Sequence, residues 1–249
     1  MQIESVLRDA ANSSNVQFMS SRLHLTEDHV RRTHREVPDT GPLASSVVFS
    51  EEDYDAHLSA FLKERPEGPL LVFCYGSLIW KPVFQPVATA RATALGWQRA
   101  FCLRIIRFRG TVEQPGLMMQ IDRGGQCEGL VQQVAPGREW EDLSVLWRRE
   151  MTNKPPSNFP RWIDVIIDGK PAKAIAFTAN PESPNYAGGL AVDDIAQTLS
   201  KACGHWGSCA EYLHQTVLSL ETHGIHDGYL WDLQERVAAL IEANSPNLQ

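Results

Sequence analysis

The chain changes character near residue 69. Before it, polar residues dominate without a sustained period, and the segment ends in Arg65-Pro66-Glu67-Gly68-Pro69, a cluster that interrupts any regular element. After it, short apolar runs alternate with glycine- and proline-bearing breaks. Residues 70–75 form a continuous apolar and aromatic run bounded by Pro69 and Gly76, the pattern of a buried strand. Further strands are expected at 88–95, 97–108, 117–122, 127–134, 162–167 and 172–178, with Asp122-Arg123-Gly124-Gly125 as one of the separating turns. Helical spacing is found at 139–151, at 191–203 and twice between 208 and 245, where Tyr212, Leu213, Thr216, Val217 and Leu220 recur every three or four residues. Seven short strands with helices around them predict an α+β protein built on one curved sheet or barrel.

One helix is also expected inside the polar leader. Ser50 followed by Glu51, Glu52 and Asp53, then Tyr54, Leu58, Phe61 and Leu62, reads as an N-capped amphipathic helix with acids in its first turn, near 51–64. The expected organisation is therefore an N-terminal extension, 1–68, carrying that helix, followed by a single domain over 69–245 that includes the C-terminal helices. Residues 152–160, with Lys154-Pro155-Pro156-Ser157, read as a mobile loop or lid.

Composition narrows the function classes. At 249 residues, 43% hydrophobic and 21% charged, the chain can bury one substantial core. A net charge of -7 with scattered lysines and arginines gives no footprint for a nucleic-acid backbone. No apolar stretch is long enough to cross a bilayer, and the first twenty residues carry Glu4 and Asp9 instead of an export signal, so a cytoplasmic protein is expected. Five cysteines, odd in number and without a CxxC pair, suit reduced core thiols. Cys203, His205, Cys209 and His214 lack the spacing of a structural zinc site, so no such site is expected there.

Two features carry chemistry. Tyr75-Gly76-Ser77-Leu78-Ile79-Trp80 places a phenol, a glycine and a hydroxyl at the end of a buried strand, where Gly76 can take a positive φ and free amides can cradle a carboxylate. A plain strand end with buried aromatics is the competing reading. Glu150 falls three residues after Trp147 and four after Leu146, toward the apolar face of helix 139–151. A helix-terminal glutamate paired with Arg148, Arg149 or Lys154 is the plain alternative there.

The segment FCYGSLIWKP (73–82) resembles the signature loop of the ChaC family of γ-glutamylcyclotransferases. GWQRAFCLRIIRFRGTVEQPG (96–116), VLWRREM (145–151) and ANPESPNYAGG (179–189) are similar to later blocks of that family, in the family's order. The resemblance covers about residues 70 to 220, and the bacterial members are the most similar. It implies a small mixed β-barrel flanked by helices, acting on glutathione without a cofactor and releasing 5-oxoproline. It also implies that Tyr75, Gly76, Ser77, Leu78, Ile79 and Trp80 grip the γ-glutamyl group, and that Glu150 is the catalytic acid-base residue. Cys74 departs from the family, where a second glycine is frequent; the loop entry is stiffer but loses no donor.

Lactam closure explains a carboxylate at Glu150. The α-amine of a γ-glutamyl peptide folds onto its own γ-carbonyl, so the nucleophile is already in the substrate, and effective molarities for such attack reach about 10⁵–10⁸ M. What remains is to deprotonate the ammonium and to protonate the leaving nitrogen, which one carboxylate of raised pKa can do in turn. Either the amides of 76–78 or the Tyr75 hydroxyl would stabilise the oxyanion. Arg104, Arg107 and Arg109 lie on or beyond one expected strand; either one of them holds the glycine carboxylate of glutathione, or they are the charges of a solvated edge. Tyr186 either lines the pocket or packs with a satisfied hydroxyl. Ser77 as a hydrolase nucleophile is set aside, because the loop lacks the second glycine of G-x-S-x-G. Two other functions stay open: cyclisation of other γ-glutamyl amines, and a non-enzymatic regulator of cation transport, which would have no need of Glu150.

Overall fold

The computed structural model describes residues 23–244. Along them run α1 (Glu27–Thr33), β1 (Val47–Val48), α2 (Glu51–Lys63), β2 (Leu71–Cys74), α3 (Ser77–Trp80), β3 (Ala88–Ile105), β4 (Gly116–Gln133) and α4 (Glu139–Glu150). Then follow β5 (Asn153–Lys154), β6 (Asn158–Ile167), β7 (Lys170–Ala179), α5 (Val192–Lys201), β8 (Cys203–Gly204), β9 (Gly207–Ser208), α6 (Cys209–Thr222) and α7 (Gly228–Asn244). Among the described residues, two units separate: Ala44–Arg99 with Gln120–Pro184, and residues 23–43, Ala100–Met119 and 185–244.

The first unit is a closed barrel in the order β2-β4-β3-β6-β7. It is mixed: β2 lies antiparallel to β4 but parallel to β7, with Val72 opposite Ile175. Alternation fills it, since Leu71 and Phe73 of β2, Val131 of β4, Ile163 and Val165 of β6, and Ala174 and Ala176 of β7 share one core. Alanines facing Leu, Phe and Ile let a narrow barrel close without voids. β6 and β7 are joined by Asp168-Gly169, both at positive φ (48° and 75°), a two-residue turn that matches strand twist.

The barrel corrects the expected strand count. Residues 88–95 and 97–108 belong to one strand up to Ile105, and 117–122 and 127–134 to another, so the turn expected at Asp122–Gly125 lies inside β4. Gly96, Gly124 and Gly125 take φ of 77°, 129° and 51°, bending the strands where other residues would resist, without ending them. Five barrel strands result. The loop expected at 152–160 also contains structure: β5 pairs with β1, and β6 begins at Asn158, four residues before the expected 162.

α2 forms where its cap predicts. Ser50 Oγ accepts from the Asp53 N–H at 3.2 Å and Asp53 Oδ2 from the Ser50 N–H at 2.8 Å. It packs on α4 and β6: the Tyr54 hydroxyl donates to the Met151 carbonyl at 2.8 Å, Trp147 Nε1 donates to His57 Nδ1 at 3.1 Å, and Phe61 stacks on Trp162 of β6 at 4.9 Å. Trp147, Leu143 and Leu146 are fully buried, which fixes the roll of α4.

In the second unit α1, α5, α6 and α7 pack together. The Leu25 N–H donates to Gln234 Oε1 at 2.7 Å, tying the leader to α7. None of the five cysteines forms a disulfide, and all are buried. Among the described residues no helix is long and apolar enough to cross a membrane.

Candidate active site

Strand β2 brings the chain to Tyr75, whose two polar ends are both committed. Its carbonyl accepts from Arg99 Nε at 2.8 Å, and its hydroxyl donates to the Phe177 carbonyl at 2.7 Å. A phenol has one proton to give, so Tyr75 is not the oxyanion donor in this arrangement. Gly76 caps α3 at φ -150° and does not use the positive φ anticipated for it. The Ile79 N–H returns to the Gly76 carbonyl at 2.9 Å and the Lys81 N–H to the Ser77 carbonyl at 2.7 Å, closing a single tight turn. The amides of Ser77 and Leu78, at its start, have no carbonyl behind them within the turn.

Glu150 is the last residue of α4, its side chain about one-fifth exposed (20%). Burial pushes its carboxyl above the ordinary glutamate value, and the neighbouring Arg149 pulls in the opposite direction. The negative end of the α4 dipole acts with burial. Of the three cations that sequence offered as partners, Arg149 is the one that reaches Glu150, with Nε 3.4 Å from Oε1; Arg148 pairs with Glu51 and Lys154 with Asp53.

Arg149 does more than neutralise. Its Nη2 donates to Ser77 Oγ at 2.8 Å and its Nη1 to the Lys81 carbonyl at 2.5 Å, clamping both ends of α3 to the end of α4. The turn and the carboxylate are thereby held by one guanidinium. The buried Cys74 thiol is pushed up first by burial and then by the charge of Glu150, so strand end, turn and glutamate share one electrostatic neighbourhood. Beneath the turn, Gln132 of β4 is 5% exposed, its Nε2 3.5 Å from the Leu78 carbonyl and its Oε1 without a partner. Sequence treated Arg149 only as a pairing alternative and passed over Gln132, because neither lies in a pattern that marks it.

The first unit thus brings together Glu150 and the loop Tyr75–Trp80. The other candidates belong to the second unit. Arg104 lines a cleft of about 300 Å³ with Gln114, Asp194 and Thr198. Arg107 is taken by Asp39 through Nε and Nη2 at 2.9 and 2.7 Å, which holds the Asp39 carboxyl down at about 2. Arg109 is buried and bonded to Glu211 and to the Ser208 carbonyl, so it is neither a solvated edge charge nor open to a ligand. Tyr186 forms a backbone bridge with Leu103.

Residues 70–240 match the family described as ChaC-like protein. The glutathione-specific gamma-glutamylcyclotransferase of Escherichia coli (strain K12) is 35% identical over 209 residues, covering 83% of this chain and 90% of the relative. The glutathione-specific gamma-glutamylcyclotransferase 1 of Danio rerio is 27% identical over 179 residues, covering 69% of this chain and 90% of the relative. Among solved structures, a yeast gamma-glutamyl cyclotransferase specific to glutathione superposes with a TM-score of 0.62 at 19% identity, over 70% of this chain and 97% of that one. That likeness bears on the fold alone: a cyclotransferase-type barrel with helices around it.

Proposed function

Because the chain belongs to the ChaC-like family, we propose that it is a glutathione-specific γ-glutamylcyclotransferase, converting glutathione into 5-oxoproline and cysteinylglycine. One observation carries the mechanism: a mostly buried carboxylate of raised pKa, Glu150, stands one guanidinium away from a turn with amides to offer.

Glu150 takes a proton from the substrate ammonium. The freed amine attacks the γ-carbonyl carbon, forming the ring C–N bond. The oxygen, now negative, is met by the Ser77 and Leu78 amides, a role that is worth about 2.7–4 kcal/mol per donor in other acyl-transfer enzymes. As the tetrahedral centre collapses, the old amide C–N bond breaks and Glu150 returns its proton to the departing cysteinylglycine nitrogen; the ring nitrogen's second proton then passes through the freed carboxylate to the same amine, which leaves as its ammonium. A raised pKa serves both halves, since the group must accept and then release near neutral pH. No net proton is consumed, and no oxidant or hydrolytic water enters. Tyr75 and Arg99 brace the loop that receives the γ-glutamyl part. Arg107 and Arg109 are not the residues that hold the cysteinylglycine part, because Asp39 and Glu211 engage them.

The relatives' specificity favours glutathione over other γ-glutamyl amines, and five buried reduced thiols suit reaction in the cytoplasm, where glutathione is abundant. The test is to incubate purified protein with glutathione and with a panel of γ-glutamyl amino acids and to quantify 5-oxoproline. Release from glutathione alone is expected; no release from any of them removes the enzyme reading, and release only from simple dipeptides moves the specificity.

A further inference from the structure

At this site Gln132 carries a buried side-chain oxygen that the fold leaves without a donor. It sits on β4 opposite Val72 of β2, with Cys74 the next residue of β2 on the same face. Leu71, Phe73 and Val131 fill the barrel, so Val72, Cys74 and Gln132 face the other way, toward α3 and the end of α4. Its Nε2 approaches the Leu78 carbonyl at 3.5 Å, which turns its Oε1 away from that carbonyl, and that oxygen is buried without a donor. Buried acceptors without partners are rare and destabilising, so one placed against a substrate loop calls for an explanation.

Resting on the reading above, we propose that Gln132 Oε1 accepts a hydrogen bond from the substrate's α-amino group and orients it for ring closure. The γ-glutamyl head presents one cationic donor, its α-ammonium, and two acceptors, its carboxylate and γ-carbonyl. The site offers the Ser77 and Leu78 amides as donors, and as acceptors Glu150 and Gln132. Donors and acceptors match only if the amino group lies between Glu150 and Gln132. The neutrality of Gln132 matters. One N–H held by an amide oxygen, and one proton taken by Glu150, leave the nitrogen lone pair aimed at the γ-carbonyl. A carboxylate at 132 would instead stabilise the ammonium and delay its deprotonation.

The experiment compares wild type, Gln132→Met and Gln132→Glu for glutathione turnover across pH and for thermal unfolding. Binding of glutathione is measured by calorimetry in the Glu150→Gln background, which separates binding from chemistry. Gln132→Met is expected to weaken glutathione binding on the order of tenfold, the loss typical of a hydrogen bond to a charged group. Its effect on Tm should be small, because the unmet buried carbonyl disappears together with the Nε2 contact to the Leu78 carbonyl. Gln132→Glu should move the acid limb of kcat to higher pH. Unchanged affinity in Gln132→Met overturns the proposal. If wild type releases no 5-oxoproline yet Gln132→Met still weakens glutathione binding, the cyclotransferase reading fails and the assignment of Gln132 stands. If glutathione does not bind at all, both fail.

Discussion

Replacing Arg149 separates the two things its guanidinium does. In Arg149→Met the bonds to Ser77 Oγ (2.8 Å) and to the Lys81 carbonyl (2.5 Å) are lost, and Glu150 loses the cation 3.4 Å away. A shielded hydrogen bond from a charged donor contributes about 1.5–3 kcal/mol, but the Lys81 bond is exposed and water replaces it, so a total near 2 kcal/mol is expected. For a chain of this length that lowers Tm by roughly 4–8 °C. The electrostatic effect has a definite sign. Arg149 holds the Glu150 carboxyl down against burial, so without it the pKa rises further. Glu150 must be ionised to act as base, so the acid limb of kcat/KM moves to higher pH. Arg149→Lys keeps a charge but cannot span two acceptors, so it should lose stability while moving the limb much less. Thermal unfolding and pH-rate profiles on glutathione measure both. An acid limb that stays in place in Arg149→Met would refute the pairing of Arg149 with the proposed catalytic carboxylate, whatever happens to Tm.

Other outcomes follow from the same geometry. Glu150→Gln should lower kcat by about 10²–10⁴, the usual contribution of a positioned acid-base group, while leaving the fold intact. Its stability should depend on pH: the folded carboxyl is raised above 4.5, so wild-type stability is complete below that value and falls as pH rises through the folded pKa. Glu150→Gln should therefore melt higher than wild type at neutral pH and converge with it in acid; parallel melting curves would contradict a buried charge. Tyr75→Phe removes a proton already committed to the Phe177 carbonyl. It should cost about 1 kcal/mol of stability yet change kcat by less than tenfold, and a larger kinetic loss would return the phenol to the oxyanion. A side chain at Gly129 would meet the Cys74 carbonyl at 2.6 Å and the Phe73 ring at 2.8 Å, so Gly129→Ala should destabilise by about 1–3 kcal/mol, read as a lower urea midpoint.

Where the sequence carries a local rule, it predicted structure closely. Ser50 with Asp53 set the start of α2, and the spacing of Leu143, Leu146 and Trp147 set α4 and left Glu150 at its end. Where two rules competed, the reading failed. Gly96 and Gly124-Gly125 look like turns because glycine usually breaks strands, yet in a closing barrel the same φ freedom bends a strand that continues, and only the ladder with its neighbours reveals which applies. The candidate site was half legible. A family-like loop and one misplaced acid pointed to Tyr75–Trp80 and Glu150. Arg149 and Gln132 depend on contacts between segments tens of residues apart, from 77 to 149 and from 78 to 132, and no period or motif encodes such distances. Arg107 looked available for the same reason: Asp39, which occupies it, lies 68 positions earlier.

Arg149 and Glu150 are neighbours in sequence, and on a helix neighbours diverge by about 100°. One side chain therefore turns to the loop while the next turns to where the reaction is proposed, and both bearings are set by the roll that the buried Trp147 imposes on the last turn. A one-residue insertion or deletion between Trp147 and Arg149 would swing clamp and acid together through that angle. The final turn of the helix thus behaves as a keyed part, whose length fixes where clamp and acid point together.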